Sequence, residues 1–410
     1  MWRRTRPPAP LALTLTLTLT LTLALGSLTA PASTAADGPA AGGGLRDVVI
    51  VGNSADGTVS FIDAHTYDNL GSLDVIPDLD EVLNGMGPIR RAAYEIVKQQ
   101  AGGDKFVDDA HLAPDGATLY VSRGNLGDAA AYDVASGRQL WRTHLDGFKA
   151  DHAALSPDGR TFVVSAITAA KSQTLDTATG RITGSFPTGT YPHENVYSAD
   201  GSLIYNMSIG VTSLPKALNF LKGAKQVTVA DARTLKVVRR YSFDHGVRPS
   251  VITPDGKTMY AQLSYLNGFI EYDLERGRTV RTVRMPFSEA GARLKPDDYP
   301  QNSAHHGMAM NAAGDKLCMA GTIDDYTAIA SRPSLTTDGF VHYPEGSLPY
   351  WSVTGPDGRH CFVTLSNRDE VSVIDYATAE EVARVEVGDF PQRERAGRVA
   401  KEALNGLSRP

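Results

Sequence analysis

The 410-residue chain lacks most of the motifs that identify a protein's chemistry from its sequence. It has only two cysteines, no haem attachment motif and no glycine-rich phosphate loop placed between a strand and a helix. No motif is as specific as a zinc finger or the turn that carries a hydrolase nucleophile. The sequence therefore argues against redox work by this chain alone, and other functions must be inferred from how its residues are arranged.

Positive charge is also in the minority. The chain has 40 basic and 46 acidic residues, for a net charge of −6. Removing residues 1–35 would take away three arginines and no acidic residue, which changes the net charge to −9. This acidity argues against nucleic acid as a partner, because proteins that bind nucleic acids present basic surfaces.

The N-terminus has the features of an export signal. MWRRTRPPAP is basic, LALTLTLTLTLTLALG is apolar but diluted by threonine, and Ser33–Ala35 offers a small-residue cleavage site. We therefore predict a signal peptide over 1–35 and a secreted protein. The stretch is short and threonine-rich for a membrane span, although a retained anchor is the alternative. Residues 36–46 are Ala, Gly and Pro with little else, which predicts a flexible lead-in.

A repeated turn organises the rest of the chain. Proline presets φ for such a turn, aspartate can bond the backbone ahead, and glycine accepts a positive φ, so each copy predicts a hairpin. The six copies, roughly forty to sixty residues apart, are LAPDGATLYV from Leu112, ALSPDGRTFVV from Ala154, YSADGSLIYN from Tyr197, ITPDGKTMYA from Ile252, MNAAGDKLCM from Met310 and VTGPDGRHCFV from Val353.

A second pattern of strand, aspartate and turn follows most copies, as in AAYDVASGRQL from Ala130 and IEYDLERGRTV from Ile270. A period near forty with four strands predicts propeller blades, which must stack to bury their faces. The first blade, beginning at DVVIVGNS (47–54), lacks an inner strand. We predict an all-β, seven-bladed propeller of four-stranded antiparallel blades, closed when residues near 396–400 join blade 1, with a tail at 401–410.

The chain resembles the bacterial YVTN-type repeat propellers over roughly residues 47–400, most clearly in NRDEVSVIDYATAEEVARVEVG (367–388). The resemblance implies a single propeller domain. Such propellers include surface proteins, lactonase-like enzymes and cofactor-facing domains of redox enzymes, so the resemblance does not select one function.

Four segments interrupt the repeat, at 76–107, 208–225, 286–301 and 322–348. All fall in loops on the face opposite the Pro-Asp-Gly turns, where we expect them to cap one mouth of the channel. Insertions on one face are typical of a binding face, although long loops can also simply cover a core. The first insertion predicts a helix that ends at Gly102 and packs through an apolar stripe of Ile89, Ala93, Ile96 and Val97.

Aligning the blades on their turns places two rings of polar residues under this cap, where the inner strands begin. The ring six positions before the turn contains Asp108, Asp151, His193, Arg248, His306, Tyr350 and Gln392. The ring five positions before the turn contains Asp109, His152, Glu194, Trp351 and Arg393, together with Pro249 and Gly307.

These residue types suit several chemistries. Imidazole and carboxylate groups can bind a divalent metal such as Ca, Zn or Mn, and the metal candidates are His152, His193, His306 and Asp151. The candidates for general acid–base catalysis are His152, His193, Glu194 and His306. The two arginines could bind a carboxylate group of a ligand, and the two aromatic rings could pack against a sugar or an aromatic group. The candidates for ligand binding are Asp108, Asp109, Asp151, Arg248, Tyr350, Trp351 and Arg393.

Two classes of function remain open. One is an exported, monomeric binding protein that holds a small ligand, glycan, metal or protein partner at the capped mouth. The other is a lactonase-like hydrolase or a carbohydrate lyase acting at the same place. Histidines that converge with a carboxylate favour the enzyme, whereas histidines bonded to backbone carbonyls favour the scaffold, and His193 after Pro192 is also typical of the repeat itself.

The two cysteines lie in the second strands of blades 6 and 7. Cys318 and Cys361 differ by one position relative to their turns, so they point to opposite faces of their own blades and towards each other. Stacked sheets are ~10 Å apart, whereas a disulfide needs Cβ atoms within about 4 Å. Both a bridge, which an exported compartment permits, and a pair of buried thiols remain open.

Overall fold

The computed structural model describes residues 44–409. The predicted signal peptide over 1–35 and most of the lead-in at 36–46 lie outside the described residues. None of the helices in the described part is long and apolar enough to cross a membrane. The predicted propeller is confirmed, because 28 strands form seven four-stranded sheets.

Each blade is a meander of antiparallel strands numbered here along the chain. The strands of blades 1 to 3 are β1 (Leu45–Asn53), β2 (Thr58–Asp63), β3 (Asn69–Asp74), β4 (Asp109–Leu112), β5 (Thr118–Arg123), β6 (Asp128–Asp133), β7 (Gln139–His144), β8 (Ala150–Leu155), β9 (Thr161–Ala166), β10 (Lys171–Asp176) and β11 (Ile182–Pro187).

The strands of blades 4 to 7 continue the same order, with one additional strand at the C-terminus. They are β12 (Pro192–Tyr197), β13 (Leu203–Ser208), β14 (Gln226–Asp231), β15 (Val237–Ser242), β16 (Val247–Ile252), β17 (Thr258–Leu263), β18 (Gly268–Asp273), β19 (Arg278–Arg284), β20 (Met308–Met310), β21 (Lys316–Gly321), β22 (Tyr326–Ser331), β23 (Thr336–His342), β24 (Pro349–Thr354), β25 (His360–Leu365), β26 (Glu370–Asp375), β27 (Glu380–Glu386) and β28 (Pro391–Ala400).

The ring closes as predicted. β28 is the innermost strand of blade 1 and pairs antiparallel with β1, from Leu45 opposite Ala400 to Asn53 opposite Pro391. The C-terminal tail continues as a short 3-10 turn, and Ser408 bridges to Ser72 in β3. The N- and C-terminal strands therefore share one sheet, which leaves no open edge at the seam.

The core lies between blades, and β1 shows why its sequence is apolar at consecutive positions. Successive side chains of a strand point to opposite faces. Val48 and Ile50 pack towards blade 2, whereas Val49 and Val51 pack towards blade 7. Because both faces of a blade are covered, VVIV is buried throughout, and each such side chain stabilises the fold by about 1.5–3 kcal/mol.

The aspartates that end the third strands hold tight turns. Asp176 accepts hydrogen bonds from the backbone N–H and the hydroxyl of Thr179, at 2.9 and 2.7 Å. Asp231 makes the same pair of contacts with Thr234, both at 2.7 Å. These carboxylates therefore stabilise the turns of the repeat and are not part of a functional site.

The first insertion forms two helices, α1 (Leu79–Asn84) and α2 (Pro88–Ala101). α2 ends as predicted, because Gly102 takes a left-handed φ of 78° and caps the helix. The predicted apolar stripe is confirmed at Val97 and wrong at Ile89 and Ile96, which are 78% and 55% exposed. The buried residues of the helix are Val97 and Tyr94, and Tyr94 was not predicted.

The fourth predicted insertion is also wrong. Residues 322–348 contain β22 and β23, the outer strands of blade 6, rather than an additional loop. Asp324 and Asp325 in the turn before β22 are buried. They accept hydrogen bonds from the backbone N–H groups of Ser288, Gly346 and Leu348, and so tie neighbouring loops to blade 6.

The two cysteines form a disulfide. Cys318 in β21 and Cys361 in β25 have Cα atoms 6.5 Å apart, so blades 6 and 7 approach more closely at this point than stacked sheets do on average. Of the two alternatives left open by the sequence, the structure has the bridge. It joins two neighbouring blades covalently.

Candidate functional site at the capped channel mouth

The three remaining insertions meet over one mouth of the channel and enclose a cavity of about 360 Å³. Its walls include Lys105 from the first insertion, Thr212 from the second and Gln301 from the third. Six residues at the starts of inner strands, or just before them, form its floor: Asp108, Asp151, His193, Arg248, Tyr350 and Gln392.

Irregular starts of the inner strands position these side chains. The strand ladder skips from Pro192 to Asn195 in β12, and it shifts in the same way at Ala150–Ala153, Val247–Ser250 and Pro349–Ser352. At each of these positions the inner strand has one residue more than the strand it pairs with, which is a β-bulge. Such bulges re-aim side chains and are frequent beside functional sites.

Three bulky residues in left-handed conformation surround the mouth. Tyr191, Leu348 and Phe390 have φ values of 54°, 56° and 55°, and each precedes the proline that begins an inner strand. All three line the cavity. Such conformations cost about 1–3 kcal/mol each and persist where the surroundings hold them, commonly at functional sites.

Gln301 connects the three insertions. Its side-chain amide donates to the Gln100 carbonyl at 3.0 Å, and its amide oxygen accepts from the Thr212 hydroxyl at 3.1 Å. Its backbone carbonyl accepts a hydrogen bond from the Arg248 guanidinium below. One exposed residue with a φ of 48° therefore joins the cap to the floor of the cavity.

His193 at the floor faces a second histidine, His306, which does not itself line the cavity. Nε2 of His193 lies 3.1 Å from Nε2 of His306. Nδ1 of His193 lies 3.1 Å from Oδ1 of Asp151, and Nδ1 of His306 lies 3.1 Å from the Tyr350 carbonyl oxygen. The Tyr350 ring stacks on the His306 ring with centroids 4.1 Å apart. All four residues are buried, and burial lowers the pKa of His193 to about 4.

His152 completes a group of three imidazoles. Its ring centroid lies 4.0 Å from that of His193 and 6.3 Å from that of His306. Its Nδ1 accepts from Nε of Arg393 at 3.3 Å, so in the neutral ring the hydrogen is on Nε2. Asp151, His152 and His193 also form a compact group that is able to hold a metal ion.

Lys149 compensates the two carboxylates of the cavity. Its Nζ lies 2.6 Å from Asp108 and 3.7 Å from Asp151. Burial raises the pKa of Asp108, and Lys149 offsets that only in part. Burial also favours a higher pKa for Asp151, but the charges of Lys149, His193 and Arg393 have the larger combined effect. They lower the pKa of Asp151 to about 2.

Two buried arginines of the cavity, Arg248 and Arg393, are each 1% exposed. Within the described part of the chain neither has a carboxylate oxygen within 4.0 Å, and the two cavity carboxylates lie closer to Lys149. Nε of Arg248 donates to the Ser264 hydroxyl at 3.1 Å, and Arg393 donates to the Gln392 carbonyl at 2.9 Å. Burial lowers the pKa of Arg248 to about 10, which leaves it charged at neutral pH.

Five predicted site residues do not line the cavity: Asp109, His152, Glu194, His306 and Trp351. Trp351 packs under the guanidinium groups of Arg393 and Arg395, at 4.5 and 4.9 Å from its ring. Glu194 accepts from the Ser250 N–H at 2.8 Å, and Asp109 binds Arg395 at 2.7 Å. These residues form a second layer in the channel, and burial raises the pKa of Glu194 to about 7.

Two cations and Gln301 were not among the residues predicted for the site. Lys149 stands two residues before Asp151 at the start of β8, so the alignment that found Asp151 would have found it if extended outwards. Lys105 belongs to the first insertion, outside the repeat. Its Nζ lies over the Phe390 ring, 3.1 Å from the centroid, and burial lowers its pKa to about 8.

Comparison with known proteins supports the fold. A structure titled Kuenenia stuttgartiensis Hydrazine Synthase matches with a TM-score of 0.58 and 19% identity, covering 81% of this chain and 93% of that one. At this identity the similarity concerns the fold alone. No protein-family model and no curated protein sequence matches the chain.

Proposed function

We propose that this propeller binds a small anionic ligand, in particular a carboxylate, in the capped cavity. The observation that carries the proposal is the pair of buried guanidinium groups, Arg248 and Arg393, which border one cavity without an acidic partner. A buried charge is costly unless it is paired. Arginine presents a planar fork that matches a carboxylate with two parallel hydrogen bonds.

The charge of the cavity supports the same ligand. Four cationic side chains, Lys105, Lys149, Arg248 and Arg393, border it against two carboxylates, Asp108 and Asp151. The protein as a whole is acidic, so this local excess is opposite in sign to the net charge of −6. Fixed positive groups in a concave site attract anions and raise their local concentration.

The size of the cavity limits the ligand to a small molecule. Its volume of about 360 Å³ is near the lower end of the ~300–1,000 Å³ typical of ligand pockets. At about 30 Å³ per water molecule, it corresponds to about twelve waters. A glycan chain or a folded protein would have to bind outside it.

Export remains part of the proposal. The bridge between Cys318 and Cys361 supports an oxidising compartment, because structural disulfides are rare in reducing ones. The basic and apolar N-terminus supports the same location.

Binding without chemistry accounts for the site better than hydrolysis or a lyase reaction. A general base must have its free nitrogen within reach of the substrate. His193 borders the cavity and is oriented by Asp151, but its Nε2 faces His306 at 3.1 Å. The predicted catalytic Glu194 lies in the layer below, bonded to the Ser250 N–H.

The test is titration calorimetry of the 44–410 chain with acetate, succinate, citrate and glucuronate, after bound metal has been stripped with EDTA and the EDTA, itself a carboxylate, has been dialysed away. We expect at least one carboxylate to bind, and we expect Arg248→Gln and Arg393→Gln to weaken it by about 10–150-fold each, the equivalent of 1.5–3 kcal/mol for a charged hydrogen bond. Arg332→Gln is the matched control. That arginine is half-buried, bonds the Tyr260 hydroxyl and does not line the cavity, and its backbone N–H bonds the Asp315 carbonyl in the turn between β20 and β21.

Two results would contradict the proposal. One is a wild-type protein that is folded but binds none of the four carboxylates at millimolar concentration. The other is a carboxylate that binds equally well to wild type, Arg248→Gln and Arg393→Gln.

A further inference from the structure

We infer that the floor of the cavity is a binding site for a divalent metal ion of the zinc class, coordinated by Nε2 of His193 and Nε2 of His306. This inference rests on different contacts from the anion site and does not require it. It also differs from the compact group of Asp151, His152 and His193, in which Asp151 would itself be a ligand.

The hydrogen atoms of the two rings lead to this assignment. Asp151 as a carboxylate can only accept, so Nδ1 of His193 carries a hydrogen directed at it. The Tyr350 carbonyl can only accept, so Nδ1 of His306 carries a hydrogen as well. In neutral rings both Nε2 atoms then present lone pairs, and these lone pairs face each other at 3.1 Å.

Two facing lone pairs repel each other at this distance, and either a shared proton or a metal ion would relieve the repulsion. With metal–nitrogen bonds of about 2.0–2.1 Å in a tetrahedral arrangement, two nitrogen ligands are about 3.3 Å apart. The observed 3.1 Å is close to that separation. Moving a hydrogen to one Nε2 would instead leave the Nδ1 lone pair of that ring against a carboxylate or a carbonyl oxygen.

The surroundings of the pair match those of metal-binding histidines. Such histidines almost always donate their other ring N–H to a carboxylate or a backbone carbonyl, which fixes the tautomer and the orientation of the ring. Here Asp151 has the first role and the Tyr350 carbonyl the second. The Tyr350 ring, stacked at 4.1 Å, holds the His306 plane in addition.

The donor set selects the class of metal. Imidazole nitrogens suit zinc and related transition metals, whereas calcium takes oxygen ligands, so the calcium alternative of the sequence analysis is not favoured here. His152 is not a ligand in this arrangement, because Arg393 donates to its Nδ1 and the hydrogen is then on Nε2. Because His193 borders the cavity, a metal held here is reached from it, and water or a ligand carboxylate would complete the coordination.

The experiment is equilibrium dialysis of EDTA-stripped protein against micromolar zinc, with metal content measured by mass spectrometry. We expect one zinc per chain in the wild type and a loss of more than about 100-fold in affinity for His193→Gln and His306→Gln. Asp151→Asn removes the orienting carboxylate, and loss of such a partner typically weakens binding by about 10–100-fold. His152→Gln should retain the metal within a few-fold.

His305→Gln is the matched control. His305 is adjacent to His306 and fully buried, but its Nε2 bonds the Tyr326 hydroxyl at 3.2 Å. We expect it to retain zinc. X-ray absorption of the zinc-loaded wild type counts the imidazoles directly and needs no variant, and we expect two.

Several outcomes would overturn the inference. Failure of the wild type to bind zinc would mean that the pair shares a proton instead. Zinc lost on His152→Gln, or three imidazoles in the absorption spectrum, would favour the group around Asp151. Because carboxylate binding is measured on metal-free protein, its failure would leave the zinc result unaffected, and the two proposals are therefore tested separately.

Discussion

Removing the disulfide gives the most direct test of how the ring is stabilised. Cys318 and Cys361 are separated by 43 positions, so the bridge closes a loop of that length in the unfolded chain. The chain-entropy relation gives about 4 kcal/mol at 25 °C for such a loop. We expect Cys318→Ala, Cys361→Ala and the double variant each to lose stability of this order in urea unfolding.

The pattern among the three variants separates the bridge from side-chain packing. Each single variant already breaks the bridge, so the double variant should lose little more than either single one. If the two side chains acted only through packing, each substitution would remove contacts of its own, and the double variant would lose clearly more stability than either single one. Additive losses, or losses below about 1 kcal/mol, would refute the entropic argument.

Two further predictions concern buried ionisable groups. The pKa of Lys105 is lowered to about 8, so raising the pH from 7 to 9 removes the charge of one of the four cavity cations. The affinity for a carboxylate, measured by calorimetry, should therefore fall over this range. The Lys105→Arg variant, which stays charged, should not show this fall. Burial raises the pKa of Glu394 well above its usual range, and neither carboxylate oxygen has a hydrogen-bond partner in the described structure. Glu394→Met should therefore stabilise the protein at pH 8 by about 1–4 kcal/mol.

The sign of the Glu394 effect follows from proton linkage. The folded protein keeps this proton at pH values where the unfolded chain has lost it, so the stability of the wild type falls as pH rises above the ordinary value of 4.5. The advantage of the methionine variant should accordingly shrink at pH 4. A stability advantage of Glu394→Met that is equal at pH 4 and pH 8 would contradict this linkage. For Lys105, a carboxylate affinity that is unchanged between pH 7 and pH 9 would contradict the prediction that its charge contributes to binding.

The sequence predicted the blades because their turns carry local signals. Pro-Asp-Gly and the aspartates of the third strands determine backbone conformation over a few residues, so they can be recognised without the fold. The outer strands of blade 6 were missed because β22 ends at Ser331, whereas the third strand of every other blade ends at an aspartate, so the local signal is absent there.

The site was predicted only as a set of positions. Counting back from the turns brought together His193, His306 and Asp151, because equivalent residues of a closed ring face one channel. The bulges at the strand starts could not be foreseen, and they decide that His193 borders the cavity while Glu194 lies below it. The exposed Ile89 and Ile96 were mispredicted because periodicity shows that a helix has an apolar face, not which neighbouring residues it contacts.

The seam between β1 and β28 also has a consequence for how the protein folds. The pairing joins residues near 50 with residues near 395, which are almost as far apart in sequence as the described chain allows. Contacts of such separation form late and slow folding. During synthesis, β1 must wait for β28 to emerge before it gains its partner, and its apolar VVIV stretch is meanwhile a candidate for pairing with other chains. Chaperone demand should therefore be highest just before β28 becomes available.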